Sequence, residues 1–313
     1  MRAALQLEHQ RCTLKDDGYK YHQLEEELTM IRTVNTLFHA KAASDGDGVK
    51  LSRVFSPRHV AQLDPFLLMD EFNSDAASDY IGGFPPHPHR GFETITYMLD
   101  GKMLHEDSMG NKGELSAGDV QWMTAASGVI HSEMPQQLEG RMRGFQLWLN
   151  LPAAEKMQTP SYRDIPTSEI PRVQIGQSSI KLIAGEIDLE DKLYTGAVKK
   201  NATQPLYLDV HIEANASLTL PVPSEKTALI YVYEGDVEVE QQEVLSQQLA
   251  LLNEGDRVNL KGGNQGTRLL VLAANPLNEK VQHWGPFVMN TRQEIDQAIN
   301  DYRNGELVKV ASA

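Results

Sequence analysis

A strand-and-turn signature occurs twice in this chain. Tyr97-Met98-Leu99-Asp100-Gly101 returns as Tyr231-Val232-Tyr233-Glu234-Gly235. Leu115-Ser116-Ala117-Gly118-Asp119-Val120 returns, at nearly the same spacing, as Leu252-Asn253-Glu254-Gly255-Asp256-Arg257-Val258. A β pattern repeated in this way constrains the chain to two like units in tandem. Between residues 49 and 274 strand-like runs follow one another, separated by Gly, Asn and Asp; segments 94–99, 145–149 and 228–233 are examples. Such runs, punctuated by turn residues, build sandwiches or barrels, so the expected class is all-β. A length of 313 residues is enough for two domains of this kind.

One helix is expected. Thr291 and Glu294 form a capping box, Ile295, Ala298, Ile299 and Tyr302 follow at helical spacing, and Asn304-Gly305 closes the segment. Pro152, Pro160, Pro166 and Pro171 disfavour helix interiors and central strands, so the stretch between the copies reads as an extended connector. At the start, Leu5 and Leu7 run into Glu8, His9 and Gln10, which breaks the apolar stretch a secretory signal needs. Met30-Ile31-Arg32 reads as a natural protein start. The expected partition is therefore an N-terminal extension at 1–30, a first barrel at 31–165, a second at 166–290, and a helix and tail at 291–313.

Composition excludes several classes. The 29 Lys and Arg against 43 Asp and Glu leave a net charge of −14, the wrong sign for a broad nucleic-acid or anionic-membrane surface. No apolar run approaches the ~20 residues that span a bilayer. Cys12 is the only cysteine, so neither an internal disulfide nor a cysteine-built zinc cluster is available. A reducing, cytoplasmic location is the expectation.

The chemistry concentrates in Pro86-His87-Pro88-His89-Arg90-Gly91-Phe92-Glu93 and Gly128-Val129-Ile130-His131-Ser132-Glu133-Met134-Pro135. Residues i and i+2 of a strand project from one face. His87 with His89, and His131 with Glu133, are thus two same-face pairs. If a barrel brings them together, three imidazoles and a carboxylate meet at one point, a set that suits Fe(II), Mn, Ni, Cu or Zn. Pro88 removes a ladder donor and places its segment at an edge or barrel mouth. A lone His-x-His is more often a surface or structural feature; the second pair is what favours a metal. His105, in the polar stretch Leu104-His105-Glu106-Asp107, is expected at the surface or the mouth. His59, His211 and His283 have no partner at ligand spacing and default to structural roles. Phe92, Trp122, Met123 and Met134 are candidate walls for a substrate, or ordinary core.

Three long motifs then carry a resemblance. His87-Pro88-His89-Arg90-Gly91-Phe92-Glu93-Thr94, Gly118-Asp119-Val120-Gln121-Trp122-Met123-Thr124-Ala125 and His131-Ser132-Glu133-Met134-Pro135 together resemble the pirin family of the cupin superfamily. The likeness runs from about Ile31 to the end and includes Gly285-Pro286-Phe287-Val288-Met289-Asn290-Thr291. It implies two tandem jelly-roll cupin barrels with one metal in the first, held by His87, His89, His131 and Glu133. Fe(II) is the ion implied, with Mn, Ni, Cu, Co or Zn as alternatives. Glu93 would then hydrogen-bond a ligand imidazole or serve structurally.

At the spacing of the two repeat matches, the four ligand positions fall on Pro221, Pro223, Arg268 and Leu270, none of which can ligate. The second barrel is expected to hold no metal. The resemblance implies dioxygen-dependent ring opening of a quercetin-like flavonol, with Glu133 as the general base. Its alternative is a redox-sensitive regulator acting through a protein partner, the acidic charge disfavouring direct contact with nucleic acid.

Overall fold

The computed structural model describes residues 30–199 and 202–309. The expectations for residues 1–29 lie outside the described residues. In chain order the first half holds β1 (Val34–His39), β2 (Lys41–Asp45), β3 (Val49–Phe55), β4 (Phe66–Ser74), β5 (Phe84–His89) and β6 (Phe92–Asp100). It continues with β7 (Met103–Asp107), β8 (Lys112–Leu115), β9 (Val120–Thr124), β10 (Val129–Pro135), β11 (Met142–Asn150) and β12 (Ser161–Ile165). The second half holds β13 (Arg172–Ile175), β14 (Ser178–Ala184), β15 (Glu186–Leu189), β16 (Lys192–Thr195), β17 (Leu206–Ile212) and β18 (Ser217–Pro221). Then come β19 (Thr227–Val239), β20 (Gln242–Leu245), β21 (Gln248–Leu252), β22 (Arg257–Ala274), β23 (Gln282–Trp284), β24 (Phe287–Met289) and the C-terminal helix (Arg292–Asn304).

The first barrel pairs a seven-stranded sheet, β12-β9-β6-β11-β4-β3-β2, with a four-stranded one, β5-β10-β7-β8. In the second, β19 and β22 pair on both sides of a register shift and so supply strands to both of its walls. The expected all-β architecture of two tandem jelly-roll barrels with a short C-terminal helix is what the chain adopts. Among the described residues no helix is long and apolar enough to cross a membrane.

Period-two alternation decides what each face buries. Along β19, Leu229, Tyr231 and Tyr233 join a core cluster shared with Ile95, Tyr97, Phe145 and Leu147 of the first barrel, and this cluster joins the barrels. The intervening Ala228, Ile230 and Val232 point into the second barrel among Leu208, Val258 and Leu269. Burial on both faces explains why residues 228–233 read as one apolar run. Each of Leu229, Ile230 and Val232 contributes about 1.5–3 kcal/mol on burial. In the first barrel the residues that alternate with the shared core include polar ones: Thr96 on β6 and Gln146 on β11 line a cavity. The two copies therefore share a frame but differ in filling: the second is aliphatic, while the first combines an apolar cluster around Phe72, Met98 and Met103 with a cavity that carries polar groups.

The expected boundaries at 31–165 and 166–290 are crossed at both ends. β1 pairs with β21 of the second barrel. At the other end, Phe287 bridges to Arg90, and the C-terminal helix packs through Ile295 and Ala298 beside Ile130 of the first. Thr291 caps that helix with Glu294, and Gly305 ends it at φ 75°. The connector differs from expectation too: residues 161–165 form β12, on β9. As an edge strand it tolerates its flanking prolines.

Strand pairing also corrects the register of the repeat. β10 pairs with β5 through His131↔His87, whereas β22 pairs with β18 through Val258↔Leu220. Gly128 and Gly255, at φ 142° and 156°, open the equivalent strands β10 and β22. The counterparts of His87, His89, His131 and Glu133 are thus Leu220, Val222, Val258 and Leu260, rather than Pro221, Pro223, Arg268 and Leu270. All four lie in the second barrel's aliphatic core. The Gly-Asp likeness misled because Gly118-Asp119 precedes β9, while Gly255-Asp256 follows β21.

Candidate metal centre

β5 is the edge strand of its sheet, where Pro86 and Pro88 interrupt no central ladder. Its backbone turns into β6 at Gly91, φ 92°, where a Cβ would stand 1.9 Å from the Val288 carbonyl oxygen. Only glycine admits the C-terminal strand so closely. Arg90 N–H donates to the Pro286 carbonyl and Val288 N–H to the Arg90 carbonyl, so β24 holds this turn in place.

β10 lies between β5 and β7, with His131 opposite His87 and Glu133 opposite His105. His87, His89 and His131 each bring a ring nitrogen within 4.8 Å of the other two. Their ring centroids are 4.4 to 4.9 Å apart. His87 Nδ1 lies 2.8 Å from the Pro85 carbonyl, which can only accept, so its Nε2 keeps a lone pair 3.0 Å from His89 Nε2. His131 Nε2 is buried without a hydrogen-bond partner. Burial, and then the neighbouring imidazole of His87, hold His89 well below the ordinary histidine range. Burial, and then His89, His87 and His105, do the same for His131. Three clustered imidazoles, with His89 and His131 held neutral and His89 Nδ1 and His131 Nε2 both without a hydrogen-bond partner, fit a divalent transition-metal ion.

Glu133 is 4% exposed and stands apart from that cluster. Its carboxylate accepts from Thr96 Oγ1 at 2.9 Å and from Gln146 Nε2 at 3.4 Å. It faces a cavity of about 1250 Å³ whose walls include His87, His89, Phe84, Met103 and Trp148. None of Phe92, Trp122, Met123 or Met134 lines this space. Phe92 instead packs against His89 and Trp148, and Trp122 is buried in the inter-barrel core. Trp148 is the aromatic wall beside the imidazoles, 5.2 Å from the His89 ring. His59 and His283, expected to be merely structural, both border the cavity. Glu93 is buried and accepts from Thr124 Oγ1 at 2.7 Å.

His105 is the clearest departure. It is fully buried rather than at the surface. Its ring stacks on Tyr162, its Nδ1 lies 3.3 Å from His131 Nδ1, and its Nε2 lies 3.3 Å from Asp107 Oδ2. The polar sequence around it misled, because β7 alternates: Glu106 faces solvent while His105 and Asp107 face inward. The signal was present, since His105 and Asp107 form the same i, i+2 pair as His87 and His89.

Comparison with known proteins agrees with this geometry. Residues 48–149 match the model of the Pirin family, and residues 207–308 match that of the Pirin C-terminal cupin domain. A Pseudomonas aeruginosa protein provisionally named as a quercetin 2,3-dioxygenase is 47% identical over 90% of this chain and 99% of its own. Human pirin is 40% identical over 85% of this chain and 91% of its own. The crystal structure of quercetin 2,3-dioxygenase from Acinetobacter baumannii superposes with a TM-score of 0.82 at 34% identity, covering 89% of this chain and 99% of that one. With both halves matched and near-complete relatives at this level of identity, the chain belongs to the pirin family.

Proposed function

We propose that this protein is an Fe(II)-dependent dioxygenase that opens the heterocycle of quercetin-like flavonols, with His87, His89, His131 and Glu133 holding the ion. The observation that carries this reading is the convergence of three imidazoles beside a cavity whose wall includes the buried Glu133 carboxylate. The names borne by the Acinetobacter structure and the Pseudomonas relative support the same substrate class. When bound, the ion supplies a Lewis acid for the flavonol oxygen and the redox chemistry that dioxygen requires. In the net reaction both oxygen atoms enter the products and one ring carbon leaves as carbon monoxide.

The chain's own residues have three tasks. Trp148, Phe84 and Met103 give the planar substrate an apolar wall and exclude water from it. Glu133 takes the proton of the flavonol hydroxyl on its carboxylate, while Thr96 and Gln146 fix its orientation. His89 and His131 stay neutral, because burial makes their protonation costly.

The test is anaerobic loading with Fe(II), followed by quercetin absorbance and dioxygen uptake for the wild type, His87→Ala and Glu133→Ala. Turnover in the wild type that vanishes in both variants supports the proposal. Stoichiometric metal without quercetin loss overturns it, and a co-purifying protein released on oxidation would put a regulatory role in its place.

A further inference from the structure

We infer that His105 and Asp107 are positioning residues that fix the tautomer of His131, so that its Nε2 lone pair is presented to the metal position. This rests on the reading that the three imidazoles hold a metal, but not on the identity of the substrate.

With one ring proton on each of His105 and His131, the hydrogen-bond geometry leaves a single assignment. Asp107 Oδ1 accepts from the backbone N–H groups of Met109 and Asn111, at 2.8 and 3.0 Å, and Oδ2 accepts from Asn111 Nδ2 at 2.9 Å. A carboxylate so surrounded by donors acts as an acceptor, so the contact with His105 Nε2 at 3.3 Å requires the proton on Nε2. With that proton on Nε2, the single-proton form of His105 has a bare Nδ1. That nitrogen lies 3.3 Å from His131 Nδ1, and two bare nitrogens would repel there, so His131 Nδ1 carries a proton. His131 Nε2 is left with its lone pair, buried and without a hydrogen-bond partner.

The side chains of His105 and Asp107 are both 0% exposed, so bulk solvent does not reach them. The hairpin turn at residues 107–110, with Gly110 at φ 87°, locks Asp107 through the Met109 and Asn111 amides. Tyr162 stacks on the His105 ring, with centroids 4.6 Å apart, and prevents it from swinging away. A histidine ligand is ordinarily oriented by an acceptor on its other nitrogen. Here the acceptor is a second histidine, itself oriented by a carboxylate. The donor set His87, His89 and His131 differs accordingly: His87 is oriented by the Pro85 carbonyl of its own strand, and His131 by a chain running through the neighbouring strand β7.

The test uses His105→Phe, which keeps the stacked ring and removes both nitrogens, beside Asp107→Asn. In metal-free protein labelled with ¹⁵N-histidine, two-bond ¹H–¹⁵N spectra read the tautomer of His131, assigned by its loss in His131→Gln. The expectation is an Nδ1–H tautomer in the wild type and a mixture in His105→Phe. Competition with a chelator for Mn(II) or Fe(II) should show affinity weakened about 10–100-fold in His105→Phe. An Nε2–H tautomer in the wild type, or wild-type affinity in a folded His105→Phe, overturns the inference. If His105→Phe fails to fold, the wild-type tautomer decides alone. A wild type that binds no metal would instead overturn the reading of the triad.

Discussion

Arg90 Nη1 donates to Asp301 Oδ2 at 2.6 Å, which fastens the C-terminal helix to the residue that follows a candidate ligand, His89. The same guanidinium donates from Nε to the Ser127 carbonyl at 2.6 Å and is 1% exposed. A segment that follows the second barrel in sequence is therefore part of the frame of the first barrel's site.

Removing one partner of that pair should be costly. Asp301→Ala leaves a buried guanidinium short of its acceptor, and because the Asp301 side chain is 16% exposed the loss should sit at the low end, about 2–3 kcal/mol. Urea unfolding measures it. The double variant Arg90→Met with Asp301→Ala should recover part of the loss, since an apolar pair carries no desolvation cost. Metal should also dissociate faster from Asp301→Ala. Unchanged stability and unchanged metal release would show that the helix is merely tethered.

A second consequence concerns alkaline pH. Tyr97 and Tyr233 each donate to a different oxygen of Asp209 at 2.6 Å, and Tyr231 donates to Glu71 Oε2 at 2.7 Å. Burial, followed by the neighbouring carboxylate, raises all three phenols far above their ordinary value. A group raised in the folded state stabilises fully below its unfolded pKa, near 10 for tyrosine, and that stability is lost as pH climbs beyond it. Unfolding free energy should fall above pH ~10 by up to about 1.4 kcal/mol per pH unit for each tyrosine. Tyr233→Phe should make the decline shallower. A wild type equally stable at pH 8 and 11 would contradict the burial of these hydroxyls.

The repeat at Tyr97 and Tyr231 was legible because both tyrosines occupy the same inter-barrel face, where a shared packing demand preserves residue type. His87, His89 and His131 were legible because strand periodicity alone puts them on common faces. His105 was hidden because its neighbours Glu106 and Asp107 gave the stretch a polar look, although Glu106 faces solvent and Asp107 turns inward. The exchange of β1 into the second barrel was hidden too. Pairing between Val34 and Leu252 is set by tertiary closure, and nothing local to either strand encodes it. Trp148 escaped notice because an alternating strand shows which residues share a face, but not which face meets a cavity.

The aliphatic second copy gives a third prediction. Leu220, Val222, Val258 and Leu260 are all buried at the positions that correspond to the candidate ligands. Metal titration should therefore saturate at one equivalent per chain. Leu260→Ala should cost about 2–5 kcal/mol through the cavity it leaves, with the metal stoichiometry unaltered. Two equivalents bound with comparable affinity would refute the assignment of a single centre.

The last prediction separates two roles for Glu133. Its carboxylate rests on Thr96 and Gln146, outside the 4.8 Å cluster of imidazole nitrogens, so its contribution to holding a metal should be smaller than theirs. Glu133→Gln keeps the shape and can still accept from Thr96 Oγ1, but it cannot take a proton. If the carboxylate is the general base, quercetin turnover per bound metal should fall about 10²–10⁴-fold. Metal content should stay high in the same preparation, because the three histidines remain. Thr96→Val should show a milder loss of turnover at unchanged metal content, since it frees the carboxylate without removing it. Activity that tracks metal content one for one across these variants would make Glu133 a ligand and nothing more.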